Sequence, residues 1–383
     1  MIVSAQVSKI TGLQLIDHLI NSDSLFKAEL ELSNQIQQLK SANNYDSLVQ
    51  YVFPLGKLEV LQKTEFGKGL ALADEIFQKQ RNPNLLGRLN LELAKLYFER
   101  SELSKAFEYG LKAKEQAEKA ENEELLINSE YHLGDYAMRM GNIEGLEKNM
   151  RSAHNRILNH QGDPYSITAR VLNLMGAVMF YSSKQDSAQY YFQSALKFIP
   201  NLEDNLENKL YLPAAIRGNL FIIKLNSGKH TEATKLAEES LRLNQRFLEE
   251  APNHPLVARV KRNLALGYVN LSSLHFDLGD FERSEDIMRL GFDFSKQNFE
   301  PKTEEYFLSV LGVAEVKNAK QEPEAALPYL DKAEACLDNM ETDNYQLRAY
   351  LYNVYGSVSY KLDTPKKALE YYKKSEIYYK KFN

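Results

Sequence analysis

One cysteine, Cys336, is the only thiol in the 383 residues, so no intrachain disulfide framework can form and the chain needs no oxidising compartment. A reducing cytosol fits best, and a cytoplasmic location is expected. Positive charge is not in excess either: 47 Lys and Arg stand against 52 Asp and Glu, for a net charge of −5. No global cationic field exists to hold a phosphate backbone, so nucleic acid is not an expected partner. Nowhere do roughly eighteen apolar residues run together, which argues against a membrane span. The opening MIVSAQVSKITGLQLIDHLI has no basic start or unbroken apolar core ahead of a small-residue cleavage site, so no export signal is expected.

Local signatures of catalysis are missing too. The chain contains no GxxxxGK[ST], HExxH, GxSxG or CxxC, and therefore no catalytic residue, metal or cofactor is expected. Gly67-Lys68-Gly69-Leu70-Ala71-Leu72-Ala73 superficially echoes a dinucleotide-binding loop, yet no strand pattern precedes it, and helix-packing glycines are the expected reading. Seven histidines are scattered. His154 and His160 are six apart, which on a helix turns them about 120° from one another and places them poorly for a shared metal. Cys336 lies in Ala333-Glu334-Ala335-Cys336-Leu337 on an expected helix and reads as a buried structural thiol.

What the chain does have is a composition able to bury a core, 44% hydrophobic and 26% charged, and a repeated spacing of small residues. Taking one small residue of a first helix, helix A, as an anchor gives the series Ala94, Gly134, Gly176, Phe221, Ser272, Ala314 and Gly356, with gaps of 40, 42, 45, 51, 42 and 42. Twelve residues beyond each anchor, on a second helix B, stand Ala106, Leu146, Ala188, Ala233, Ser284, Ala326 and Ala368. Seven further come Ala113, Ala153, Ala195, Ser240, Gly291, Ala333 and Ser375. Small residues at these points let antiparallel helices approach closely. Helical periodicity is clear, as in Leu89, Leu93, Leu96 and Tyr97, while no stretch alternates as a strand does, so an all-α fold is expected. Gly141-Asn142, Gly228-Lys229, Gly279-Asp280 and Thr364-Pro365 supply the turns between helices A and B. Pro328 falls a few residues into the helix beginning near Glu324, where a kink or a late start is expected.

With these residues in view, the chain resembles a tetratricopeptide-repeat protein over roughly residues 85 to 383. The best-matched unit, LNLMGAVMFYSSKQDSAQYYFQSALKFIP, residues 172–200, puts the family's Gly, Ala, aromatic, Ala and Pro on Gly176, Ala188, Phe192, Ala195 and Pro200. Three features depart from the family: no tryptophan occurs, Phe221 replaces a small residue, and the commonest spacing of 42 exceeds the family's roughly 34. The longer period is similar to the kinesin-light-chain variety, as are the loops Gly162-Asp163-Pro164 and Asn253-His254-Pro255 ahead of helices A. The resemblance implies a right-handed α-solenoid, a superhelix of stacked antiparallel helix pairs with about seven clear repeats. Residues 1–84 read as degenerate repeats or an N-terminal helical cap, stacked with residues 85–383 as one solenoid.

The resemblance also implies where a partner would sit. In the family, helix A faces line a groove with exposed side chains at anchor positions −6, −3, +1, +4 and +5. These map onto Arg88, Lys95 and Glu99, onto Asn128, Tyr131, Asp135 and Arg139, onto Arg170, Asn173, Phe180 and Tyr181, and onto Tyr350, Asn353 and Lys361. Arg and Asn suit a peptide's carboxylate and backbone, and Tyr offers contact area at low entropy cost. The expected function is a noncatalytic scaffold that binds a protein or peptide. The alternative is a sensory or regulatory module of a larger bacterial system, either a peptide-responsive regulator or an array preceding a caspase-like peptidase or a kinase. The last 23 residues hold seven Lys, for a local charge of +4, and Tyr371, Tyr372, Tyr378 and Tyr379 form an apolar stripe. That stripe is expected to pack on another subunit or a further domain.

Overall fold

A computed structural model describes residues 12–21, 24–62, 67–159, 165–202, 205–254, 256–340 and 344–382, and among them no strand occurs. Five helices come first: α1 (Leu13–Asn21), α2 (Leu25–Ser41), α3 (Tyr45–Leu48), α4 (Val52–Gln62) and α5 (Lys68–Lys79). Seven A/B pairs follow in the expected register. They are α6 (Pro83–Glu99) and α7 (Leu103–Lys119), α8 (Glu123–Arg139) and α9 (Ile143–Asn159), and α10 (Tyr165–Tyr181) and α11 (Gln185–Phe198). Next come α12 (Leu212–Asn226), entered through a π-helical turn (Glu207–Tyr211), with α13 (His230–Glu250), and then α14 (Val257–Asp277) with α15 (Phe281–Asn298). The last are α16 (Glu304–Ala319) with α17 (Pro323–Asp338) and α18 (Tyr345–Lys361) with α19 (Pro365–Phe382). The all-α architecture of consecutively packed helix pairs expected from the spacing is therefore present.

The small-residue series is the packing surface. All seven residues of the twelve-step series are buried, from Ala106 to Ala368. At the anchors, a Cβ built on Gly134, Gly176 or Gly356 would lie 2.4, 2.5 or 2.6 Å from Met150, Phe192 or Tyr372, each sixteen residues on. The repeat thus pairs a small anchor with a large partner. In the fourth unit the sizes are exchanged: the anchor is Phe221 and its sixteen-step partner is Ala237, both buried. The fifth unit seals the contact with hydrogen bonds. Ser272 Oγ donates to the Ser284 carbonyl at 2.8 Å and Ser284 Oγ returns a bond to the Ser272 carbonyl at 3.0 Å.

Each helix A ends in the same way. Seven residues after every anchor the backbone turns left-handed, at Ser101, Gly141, Ser183, Gly228, Gly279, Gln321 and Asp363, with φ between 55° and 77°. The next N–H then reaches back to the carbonyl three residues past the anchor at 2.8–3.0 Å, as from Lys229 to Lys224 and from Glu322 to Lys317. This six-to-one bond satisfies a carbonyl that the helix end would leave bare. Asn82, Asn122, Thr303 and Asn344 cap the starts of α6, α8, α16 and α18 by accepting a backbone N–H three residues on. The expected late start at Pro328 does not occur: α17 begins at Pro323, in the first-turn position that proline tolerates, and runs through Pro328.

The chain divides into two compact units, Met1–Asn219 with Phe247–Val257, and Leu220–Arg246 with Ala258–Asn383. The division falls beside Phe221, inside the repeat with the longest spacing. In the first unit the five leading helices share a core with the first repeat, built from Ile16, Leu32, Leu48, Val52, Leu72, Ile76, Leu89 and Leu93 among others. In the second, Phe307, Leu311, Leu330, Leu337, Leu351 and Val358 form the centre of the sixth and seventh repeats.

Candidate functional site

Residues three and four apart share a helix face, so anchor offsets −6, −3, +1 and +5 place one stripe on each helix A. In the first unit, α6, α8 and α10 carry it. Arg88 pairs with Asp46 of α3, and Lys95 with Glu92 at 2.8 Å. Asn128 donates to its own helix, to the Glu124 carbonyl at 2.9 Å. Asp135 is buried, while Arg139 and Tyr181 are exposed. Asn173 accepts from the Asn219 amide at 3.2 Å.

The structure brings Tyr131 and Arg170 together. The Arg170 guanidinium donates to Asn208 Oδ1 at 2.8 Å and to Glu207 Oε2 at 3.1 Å, and it also bonds Tyr131. Burial works against its charge, but Tyr131 and Glu207 more than compensate, so its pKa lies above the ordinary arginine value. His132 packs edge-on to Tyr131 at 5.0 Å. Burial, followed by the positive Lys95 and Arg170, holds its imidazole well below the usual histidine range, so it is neutral at pH 7.

Glu207, in the π-helical turn, is a hub that the sequence reading did not place. Besides Arg170 it faces His254, whose Nε2 lies 3.6 Å from Glu207 Oε1. His254 Nδ1 accepts the Leu256 N–H at 3.1 Å, which leaves the imidazole proton on Nε2, toward the carboxylate. Burial first, and then the positive Lys57, pull the His254 pKa down to about 4 against the opposing pull of Glu207. Lys57 is itself buried in α4, 4.0 Å from Asp17, and burial lowers its pKa. No local motif marks these residues, because they meet only through the turn before α12 and the loop after α13.

In the second unit, Asn353 is exposed on α18 and borders a cleft of about 550 Å³ with Glu304, Leu308, Tyr350, Ser375 and Tyr379. The Tyr350 hydroxyl donates to Glu315 Oε2 at 2.5 Å. Burial raises the Glu315 pKa to about 7, with Asp277 adding to the rise and the Tyr350 bond opposing it. Asn318 Nδ2 donates to Ser357 Oγ at 2.9 Å, and Lys361 Nζ to the Asn318 carbonyl at 2.5 Å.

The Gly67–Gly69 segment opens α5, and the N–H groups of Gly67, Lys68 and Gly69 all donate to the buried Glu59 carboxylate at 3.2, 2.8 and 3.1 Å. The protein's own anion occupies the place a phosphate would need, and Gly69 is small because it packs on the Gly56 backbone. Cys336 is buried, its thiol pushed up to about 11 by desolvation. Among the described residues no group of three or more His, Cys, Asp or Glu is placed to hold a metal, and no helix is long and apolar enough to cross a membrane. His160, the Gly162–Pro164 loop and Pro255 lie outside the described residues.

Left-handed helix ends and stacked A/B pairs at a fixed register make a tetratricopeptide-repeat-like fold, and solved structures with the same fold agree. The chain is similar to the apo form of RapI, with a TM-score of 0.56 and 13% identity over 92% of this chain and 98% of that one. It is similar to aspartyl phosphate phosphatase F from Bacillus subtilis, with a TM-score of 0.51 and 16% identity over 96% and 95%. It also resembles a signal-transduction ATPase with a tetratricopeptide-repeat sensor from Pyrococcus horikoshii, at 0.58 and 13% identity, where it spans 52% of the longer chain. No protein-family model and no curated protein sequence matches.

Proposed function

We propose that this chain is a noncatalytic interaction scaffold that binds an extended peptide or protein segment along the helix A faces of its first three repeats. The observation that carries the reading is a division of labour on that face. Tyr131, Arg170 and Asn173 are tied to neighbouring helices, while Arg139 and Tyr181 on the same stripes are exposed and Asn128 is half-exposed. Fixed side chains on the same stripe as exposed ones lower the ordering cost of binding. Arginine suits a partner carboxylate, asparagine its backbone, and tyrosine its apolar side chains.

A second reading, a sensory or regulatory module acting in the cytosol as part of a larger bacterial signalling system, is favoured by one observation. RapI and phosphatase F match the chain nearly end to end, including its leading helices, and the Pyrococcus match contains a repeat sensor. In this reading the bound peptide is a signal, and the partner is a regulator or an effector.

Affinity capture from the native cytosol tests both. Wild type should retain a partner that Asn128→Ala/Arg139→Ala/Tyr181→Ala loses at least tenfold, at an unchanged melting temperature. Equal capture by the variant would refute the placement. Release of the protein partner by a small peptide would favour the regulatory reading.

A further inference from the structure

Two carboxylates of the first unit sit where an anion would bind, and they are held differently. Glu59 is 3% exposed and takes three backbone N–H groups, so it is locked in place. Glu207 projects from the π-helical turn, and its side chain keeps 36% of its surface open. It meets the Arg170 guanidinium through Oε2 at 3.1 Å. Arg170 does not depend on that contact for its direction, because Asn208 Oδ1 at 2.8 Å and Tyr131 also hold it. With 19% of its side chain exposed, Arg170 is within reach of a solute.

A second seat for Glu207 is already present. Its Oε1 faces the Nε2–H of His254 at 3.6 Å, just beyond hydrogen-bond length. The Lys57 ammonium is near enough that Glu207 favours its charge, and near enough to His254 to oppose a charge there. Lys57 is 6% exposed, and among the described residues its Nζ has no hydrogen-bond acceptor: Asp17 stands 4.0 Å away, and Glu99 acts from farther off. A buried ammonium in that condition carries a cost that an arriving carboxylate relieves. We propose that Glu207 is an internal stand-in for a ligand carboxylate: a peptide bearing one takes its place on Arg170, and Glu207 moves to His254 Nε2–H and the Lys57 ammonium. Every ion keeps a counterion through the exchange, and an arginine already oriented by neutral groups receives the ligand. The proposal rests on the helix A reading above and adds the chemical group recognised there.

The full chain labelled at the guanidino carbon of arginine gives an Arg170 signal, identified by its loss in Arg170→Lys. That signal is titrated with three probes: acetyl-Gly-Tyr-Gly with a free C-terminus, the same peptide amidated, and amidated acetyl-Gly-Glu-Gly. The free acid should shift the signal and its amide should not; a shift by the glutamate peptide as well assigns recognition to any carboxylate rather than to a chain end. Glu207→Gln and Glu207→Ser remove the competitor, and each should bind the carboxylate probe at least tenfold more tightly than wild type. A merely structural Glu207 would give no such gain. Lys57→Met removes the second seat and should weaken binding at least threefold. Circular dichroism checks that the variants keep the fold. Binding by the folded Glu207 variants no tighter than by wild type, an equal shift with the amidated Tyr peptide, or no shift at tens of millimolar probe overturns the proposal. Partner capture that still depends on Asn128, Arg139 and Tyr181 would, in that event, leave the helix A reading standing.

Discussion

Replacing Gly228 by alanine isolates the backbone requirement of the turn that ends each helix A. Gly228 has φ of 69°, and a Cβ placed there meets nothing within 4 Å, so no neighbour has to move. What remains is the cost of holding an L residue in the left-handed region, about 1–2 kcal/mol. It is offset by about 0.4–1 kcal/mol, because alanine restricts the unfolded chain more than glycine does. The expected net loss is about 1 kcal/mol. Gln321 sits at the equivalent position with φ of 67°, and Gln321→Gly should return about 0.5–1 kcal/mol by the same reasoning. The chain has no tryptophan, so urea unfolding is best followed by far-ultraviolet circular dichroism, with the slope m compared between variants. Because repeat arrays lose all-or-none behaviour, hydrogen exchange at the Lys229 amide, bonded to the Lys224 carbonyl at 2.9 Å, reads the turn itself. An unchanged midpoint and unchanged exchange for Gly228→Ala, or a loss of stability for Gln321→Gly, would refute the reasoning.

Three further predictions concern packing and titration. Gly176→Ala puts a methyl 2.5 Å from the buried Phe192 ring; overpacking of about 1–3 kcal/mol should exceed the roughly 1 kcal/mol of helix propensity gained. Phe192→Leu should partly rescue it, and additive effects in a double-mutant cycle would deny the contact. The Glu315 pKa of about 7 exceeds its ordinary 4.5, so its contribution to stability is full below about 4.5 and is lost as pH rises through 7. Glu315→Gln should therefore raise the melting temperature relative to wild type at pH 8 and change it little at pH 4.5; an equal effect at both would contradict this. His254, lowered from 6.5 to about 4, has the opposite sign. Its contribution is present above pH 6.5 and lost on acidification toward 4, and His254→Gln should flatten that part of the stability profile.

The sequence carried the architecture because close helix packing demands small side chains at fixed intervals, and Ala106, Ala188 and Ala326 meet that demand in plain view. The turns were half visible. Gly141, Gly228 and Gly279 announce a left-handed backbone, whereas Ser101, Ser183, Gln321 and Asp363 adopt the same φ because the flanking helices impose it, and nothing in those side chains reveals it. Phe221 looked like a break in the pattern; it is buried, and so is the small Ala237 sixteen residues on, the large and small residues standing in reversed order along the chain. The face residues followed from the register, but their partners did not: Arg170 meets Glu207 and Asn208 across 37 and 38 residues, a pairing set by the π-helical turn. The C-terminal tyrosines were recognised as a stripe, while which of them turn inward depends on α18.

The central claim is that a partner lies on the helix A face and not on the outer helices, and two exposed tyrosines of one repeat allow it to be tested directly. Tyr181 on α10 is 55% exposed and Tyr190 on α11 is 65% exposed. A photo-reactive phenylalanine analogue at one position or the other should leave the core undisturbed. On irradiation with the captured partner, the account predicts a cross-link from position 181 and none from position 190. Cross-linking from 190 with none from 181 would contradict it.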